Sequence, residues 1–231
     1  MLLLSGTLLT VDSLQNIANG TQGELTVSLW DLAVKGGWIM LVLGILSIVA
    51  VYLFIDKFLA IKHASSDQKI LMNKIKNYIL DGNVKAALDE CKVTAGPLAR
   101  MIEKGIMRIG RPLNDVNAAI ENVGKQEVAR LEKGLPILAT VAGGAPMIGF
   151  LGTVTGMITA FMDMSHAGNN LDVGVLSNGI YEALVTTVGG LIVGIIAYFG
   201  YNILVARIST LVAQLETKTT EFMDILNEPA K

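Results

Sequence analysis

The residues best placed to do chemistry are one carboxylate, Glu182, and three hydroxyls, Thr153, Thr186 and Thr187, all set in or beside long apolar runs. A carboxylate in hydrocarbon costs about 2.5–3.5 kcal/mol on insertion scales, so where it persists it usually serves a pathway or a relay. No Lys or Arg lies within the apolar runs to pair with it. Its partner must be water, a hydroxyl or another chain, and threonine hydroxyls beside it could solvate protons, water or an incoming acid. A second reading stands next to this one. Ala183–Ala206 alone is 24 uncharged residues, long enough to cross a bilayer at about 1.5 Å each. That leaves Glu182 free to be an ordinary charge at the outer rim, and length and periodicity leave both readings open.

The elements that must position these groups are two apolar helices with two unlike faces. In the stretch 180–206, a helical wheel of about 100° per residue gathers Glu182, Ala183, Thr186, Thr187, Gly190, Gly194 and Ala197 on one arc, with Val193 among them. Leu184, Val185, Val188, Leu191, Ile192, Ile195, Ile196, Tyr198 and Phe199 take the other. The wheel sets Thr186 nearer Glu182 than Thr187. The stretch 135–162 repeats the pattern: Ala142, Ala145, Pro146, Gly149, Gly152, Thr153, Gly156, Thr159 and Ala160 share one side. Met147, Phe150, Leu151, Val154, Met157, Ile158 and Phe161 share the other. Gly149, Gly152, Gly156, Gly190 and Gly194 allow close backbone approach, and Pro146 removes one helical hydrogen bond. The slim faces are expected to meet another helix or line a narrow passage, and helix packing alone would explain the glycines of 135–162. A chain with so few spans encloses no pore by itself, so a passage implies a ring of copies.

Composition agrees with a membrane protein that carries a polar portion. Of 231 residues, 52% are hydrophobic, and the mean hydropathy is +0.55, above an ordinary soluble domain. The net charge of −2 gives no electrostatic case for nucleic acid. One cysteine, Cys91, leaves no internal disulfide, and its place on an amphipathic segment makes it a buried structural thiol. His63 and His166 are too far apart for metal spacing. No nucleophile–base pair or phosphate loop appears, so neither an enzyme nor a cofactor is expected. A solute transporter, the reading from another class, would need more spans and often a repeat.

The chain divides into a segment 1–35 lying on the outer membrane surface, a first span 36–56, a helical domain 57–134, a second span 135–162, a polar loop 163–179, a third span 180–206 and a C-terminal helix 207–231. Within 57–134 the breakers Asp81-Gly82-Asn83, Ala95-Gly96-Pro97 and Gly110-Arg111-Pro112 separate helices at 68–80, 83–92, 97–109 and 113–133. Asn114 is the expected N-cap of the last. Lys plus Arg number one in 1–35, fourteen in 57–135, none in 163–179 and three from Arg207 onward. The positive-inside rule then sets the N-terminus outside and the large segment and tail inside. The fold expected is an all-α integral membrane protein whose three spans extend into a cytoplasmic helical domain.

Two motifs go further. Ala145–Ile158 reads A-P-x-x-G-x-x-G-T-V-x-G-M-I and Gly179–Leu191 reads G-I-x-E-A-L-x-x-T-x-x-G-L. With GNVKAALDEC and GPLARMI upstream, they closely resemble the ExbB/TolQ/MotA proton-channel family, nearest its ExbB (biopolymer transport protein) branch, over about residues 30–215. The resemblance implies a three-span bacterial inner-membrane subunit, where a MotA-like chain would have four spans. It implies a pentameric ring around a dimer of an ExbD/TolR-like single-span partner whose aspartate takes up protons. Proton flow would energise a TonB/TolA-like protein serving outer-membrane transport. A TolQ-like role in envelope integrity and a gliding or rotary stator are the alternatives. The family's pore-lining glutamate and two threonines match Glu182, Thr187 and Thr153, and its proline matches Pro146. The family pattern thus favours Thr187 where the wheel favours Thr186.

Overall fold

A computed structural model describes residues 36–65, 68–167 and 173–227; the interfacial segment expected over 1–35 lies outside the described residues. All regular structure among those residues is helical. In order come α1 (Gly37–Ala64), α2 (Gln68–Leu80), α3 (Val84–Val93), α4 (Pro97–Ile106), α5 (Leu113–Glu132), α6 (Leu135–Ala167) and α7 (Val173–Asn227). Three helical stretches are long and apolar enough to cross a membrane, by length and composition. They are carried by α1, α6 and α7. Their unpaired sides are greasy: Trp38, Ile48, Tyr52, Met147, Phe150, Phe161, Ile196 and Phe199 are all exposed, as lipid-facing or subunit-facing side chains must be before lipid or a neighbour covers them.

α1 and α7 run past the apolar zone and become the frame of a polar-side bundle. On α7, Leu204, Ile208, Leu211, Leu215, Phe222 and Ile225 are all buried, a near-heptad stripe that α1, α2, α4 and α5 cover. Phe222 enters a slot made by Gly105 on α4 and Ile120 on α5. A Cβ on Gly105 would stand 2.7 Å from the Ile120 Cδ1 and 2.8 Å from the Phe222 ring. Glu127 of α5 is buried, but its two oxygens accept from Arg100 of α4 and from Arg130 at 2.9 Å. The charge is therefore paired on both sides, the condition under which a carboxylate tolerates such a place. Where the chain leaves the apolar zone, the Arg207 guanidinium lies 4.6 Å from the centroid of Phe58.

Three local expectations give way to other forces. Asn114 does not cap α5. The cap is Pro112, whose fixed φ of −51° aims its carbonyl into the first turn, where it accepts from Asp115 N and Val116 N. Side-chain capping instead occurs at α3, where Asn83 accepts from Ala86 N at 3.1 Å. α4 ends at Ile106 rather than 109, because Met107–Gly110 close as turns. The polar loop expected over 163–179 is cut from both ends: α6 continues to Ala167 and α7 begins at Val173. Tertiary contact overrides weak helix propensity there, for Gly179 packs so closely on Ala160 that a Cβ would come within 2.7 Å of the Ala160 Cβ. α7 runs unbroken across the border drawn at 206/207, as expected of a span that extends beyond the apolar zone. From Tyr201 to Asn227 the sequence holds no Gly or Pro to interrupt α7.

Burial, with the nearby carboxylates of Glu103 and Glu90 adding to it, pushes the Cys91 thiol from 9.0 up to about 12. A raised acid pKa stabilises the fold below the unfolded value, and that contribution is lost as pH climbs from about 9 towards 12. At pH 8 the folded thiolate population is about a thousandfold below that of a free thiol of pKa 9. Alkylation of Cys91 by iodoacetamide is therefore expected to be negligible until the protein is unfolded; labelling at the rate of free cysteine would contradict this burial. Gly105→Val overfills the Phe222 slot and is expected to cost about 1–3 kcal/mol, read as a lowered Tm.

Candidate functional site

The slim faces of α6 and α7 lie against each other, and glycine makes the contact possible. A Cβ on Gly149 would stand 2.7 Å from Thr186 O and 3.0 Å from Gly190 Cα, and one on Gly190 would stand 2.6 Å from Ala145 O. Further along, Gly194 receives the Pro146 ring, and Gly156 lies under Ala183. Pro146 sits inside α6 without ending it. Backbones this close gain dispersion contacts that larger side chains would forbid. α1 joins from behind: Met40 lies over Gly189, and Phe54 over Gly200.

This approach sorts the three threonines. Thr186 is only 1% exposed. Its hydroxyl donates back to Ala183 O at 2.7 Å and faces Gly149 O at 3.4 Å, so it fills the space above Gly152 as a packing group. Thr153 and Thr187 are half-buried at the edge of the seam, with their hydroxyls in direct contact. Thr187 also reaches Gly149 O at 3.1 Å, and Thr153 reaches Ala183 O at 3.2 Å. Each hydroxyl has one proton to give. The pair can thus order as Thr153 to Thr187 to the Gly149 carbonyl, or in reverse as Thr187 to Thr153 to the Ala183 carbonyl. A hydrogen-bonded unit with two directions is the chemistry by which hydroxyls pass a proton along a line.

Glu182 lies five residues before Thr187 on α7, about 7.5 Å along the axis. Its side chain is exposed and lines a cleft of about 450 Å³ between α1, α6 and α7. Thr155, Thr159, Asp163 and Asn178 add polar atoms to that cleft, and Trp38 and Ile39 supply its apolar wall. One carboxylate oxygen lies over Gly37, the first residue of α1; a Cβ there would stand 2.5 Å from Glu182 Oε1. Gly37 also has φ +63°, a left-handed backbone that glycine alone adopts freely. The sequence reading passed over Gly37, although the Gly36-Gly37 pair before an apolar run was its visible trace. Among the larger residues of the wheel's lipid face, Val185 proves buried while Leu184, Val188 and Ile192 are exposed. α1 accounts for such shifts, since a wheel drawn for one helix ignores the helix behind it. No cluster of His, Cys, Asp and Glu suited to a metal occurs among the described residues.

Comparison with known proteins bears on exactly this region of the chain. The model of the MotA/TolQ/ExbB proton channel family matches residues 93–217, more than half of the sequence. The chain belongs to that family. It is 38% identical over 105 residues to the Tol-Pal system protein TolQ of Haemophilus influenzae, a match covering 46% of each chain. It is 31% identical over 109 residues to the biopolymer transport protein ExbB of Xanthomonas campestris, covering 47% of this chain and 43% of that one. A protein of Methanothermobacter thermautotrophicus named as an ExbB homolog is 33% identical over 135 residues, covering 58% and 47%. The matches span about half the length of these relatives. The stretch shared with the MotA/TolQ/ExbB family holds Glu182, Thr153, Thr186 and Thr187 together with the whole glycine seam, whereas α1 and α2 lie outside it.

Gly190→Leu is expected to separate α6 from α7 and lower the Tm in detergent by well over 5 °C. Gly143→Ala, where nothing lies within 4 Å of the added carbon, is expected to leave it within about 2 °C. Equal effects would show that the close approach does not hold the seam.

Proposed function

We propose that the chain is a proton-channel subunit of an inner-membrane, energy-transducing motor, acting as a ring of copies. The Thr153–Thr187 hydroxyl pair carries this reading, because it puts a two-way hydrogen-bonded unit at the open edge of the seam between the two slim helices. Glu182 stands at the mouth of that line. Counted from Arg207, the first charge beyond the span, it lies about 37 Å up the axis of α7, farther than the roughly 30 Å of hydrocarbon. It is thus both a rim carboxylate and the entrance to the path, collecting protons from the outer side and delivering them toward the hydroxyls. Thr186 supports the line from behind by packing. The glycines and Pro146 hold the two helices at the required separation.

In this reading N-out orientation follows from the Lys and Arg count, and the ring encloses a dimer of an ExbD/TolR-like single-span partner that accepts the protons. Family likeness supports a client of the TonB/TolA type, with proton motive force spent on outer-membrane transport. A TolQ-like role in envelope integrity is the second reading, and the 38% identity to the Haemophilus protein favours keeping it.

The test is proton flux into liposomes that hold the chain together with its single-span partner. Glu182→Gln is expected to reduce flux at least tenfold while assembly persists. Thr153→Val is expected to reduce it severalfold, and Thr140→Val to leave it unchanged, because Thr140 is exposed and its hydroxyl is spent on Pro136 O at 2.8 Å. Full flux from Glu182→Gln would remove the acid from the mechanism, and equal effects of the two threonine changes would remove the hydroxyl pair.

A further inference from the structure

Below the span, α7 has a groove on either flank, and the two grooves carry opposite charge. On the side of α1 and α2, a continuous groove runs from Ile61 and Arg207 down to Lys69 and Thr217. Its described lining holds Lys62, Lys69, Arg207 and Lys218 and no acidic side chain. Lys218 is neutralised within the chain by Glu221. Among the described residues Lys62, Lys69 and Arg207 make no ion pair, and the Arg207 guanidinium lies over the Phe58 ring. On the side of α5, a groove of about 660 Å³ holds Glu121, Glu132 and Glu216 against a single Lys125. Glu121 accepts only a neutral amide hydrogen bond, from Asn117. Glu132 and Glu216 have no ion-pair partner among the described residues.

The two grooves are matched in more than sign. Both follow α7 and overlap along it, 206–218 on the basic side and 212–220 on the acidic side. On the α7 wheel their centres stand about 170° apart. Val212 of α7 and Val128 of α5 put apolar surface beside the acidic groups, and Ile70 and Ala213 do the same on the basic side. A surface that is basic on one flank and acidic on the other cannot satisfy itself. It is completed by an identical surface offset by rotation, and repeated head-to-tail contact of that kind gives a ring when the rotation between copies closes.

We infer that the basic α1–α7 groove of one copy docks the acidic α5 flank of the next copy of this chain. This interface rests on the ring reading and adds to it the surfaces that fix the order and handedness of the copies. Lys62 and Lys69 have no ion-pair partner among the described residues, and the neighbour's glutamates would supply one. Opposite charges brought together and partly desolvated in this way steer encounter and suppress wrong pairings.

The test is charge reversal in the full-length chain, purified in mild detergent, with subunit number read by native mass spectrometry. Wild type is expected to form a closed ring. Lys62→Glu with Lys69→Glu, and separately Glu121→Lys with Glu132→Lys, are each expected to cut the ring population at least tenfold. The chain carrying all four changes is expected to recover it, a rescue that misfolding cannot produce; circular dichroism and Tm on each variant confirm the fold. Rings that persist in both reversed variants would overturn the charged interface while leaving the ring intact. A wild-type chain that is monomeric in detergent and in bilayers would overturn the ring itself. The basic groove also has the chemistry for an acidic phospholipid headgroup. Retention of phosphatidylglycerol that is lost in Lys62→Glu with Lys69→Glu, with no change in subunit number, would replace the neighbour by lipid and sink the proposal.

Discussion

Everything in the membrane half depends on two backbones being allowed to touch. At Gly149 and Gly190 there is no Cβ on either side, and the helices approach until the next atoms met are carbonyl oxygens and α-carbons. Without that approach the Thr153 and Thr187 hydroxyls would lie too far apart to share a proton, and Thr186 would have no pocket to fill. Small residues substitute here for the hydrophobic effect, which offers nothing between helices already in lipid. At these two positions an added methyl group would meet backbone rather than a side chain that could move aside.

The distinction between Thr186 and Thr187 shows how far sequence carries such an argument. A helical wheel ranks residues by angle about one axis, and by that measure Thr186 is the companion of Glu182. Which of two neighbours is swallowed by the partner helix and which stays at the edge depends on the crossing of two helices, information that one helix does not contain. Motif likeness pointed to Thr187, and the packing supplies a physical reason for the difference: Thr186 is spent on Gly149 and Gly152. The three apolar stretches, the four short helices and the stripe along α7 were legible because each rests on periodicity or on strong breakers. The cap at Pro112 and the helical ends of the loop 163–179 were not, because a carbonyl contact and the Gly179–Ala160 approach decided them. Gly37 was hidden for the same reason, its significance lying in a side chain 145 positions away.

The polar half follows a different logic. It is held by conventional burial, with Phe222 in its slot, and by one paired carboxylate, Glu127, bridging α4 to α5 by way of Arg100. These contacts hold the bundle that packs around the foot of α7. Cys91, buried among them and resistant to ionisation, is a packing thiol and reports on the integrity of this region rather than on any chemistry.

α7 is one unbroken helix of 55 residues, about 80 Å from end to end. A rod of that length does not absorb motion at a hinge, since it holds no proline and its glycines are already gripped by α1 and α6. A tilt of about five degrees at one end therefore displaces the other end by roughly 7 Å, by simple leverage on that length. Any displacement at the level of the hydroxyl pair is therefore carried along α7 to the bundle packed around Phe222.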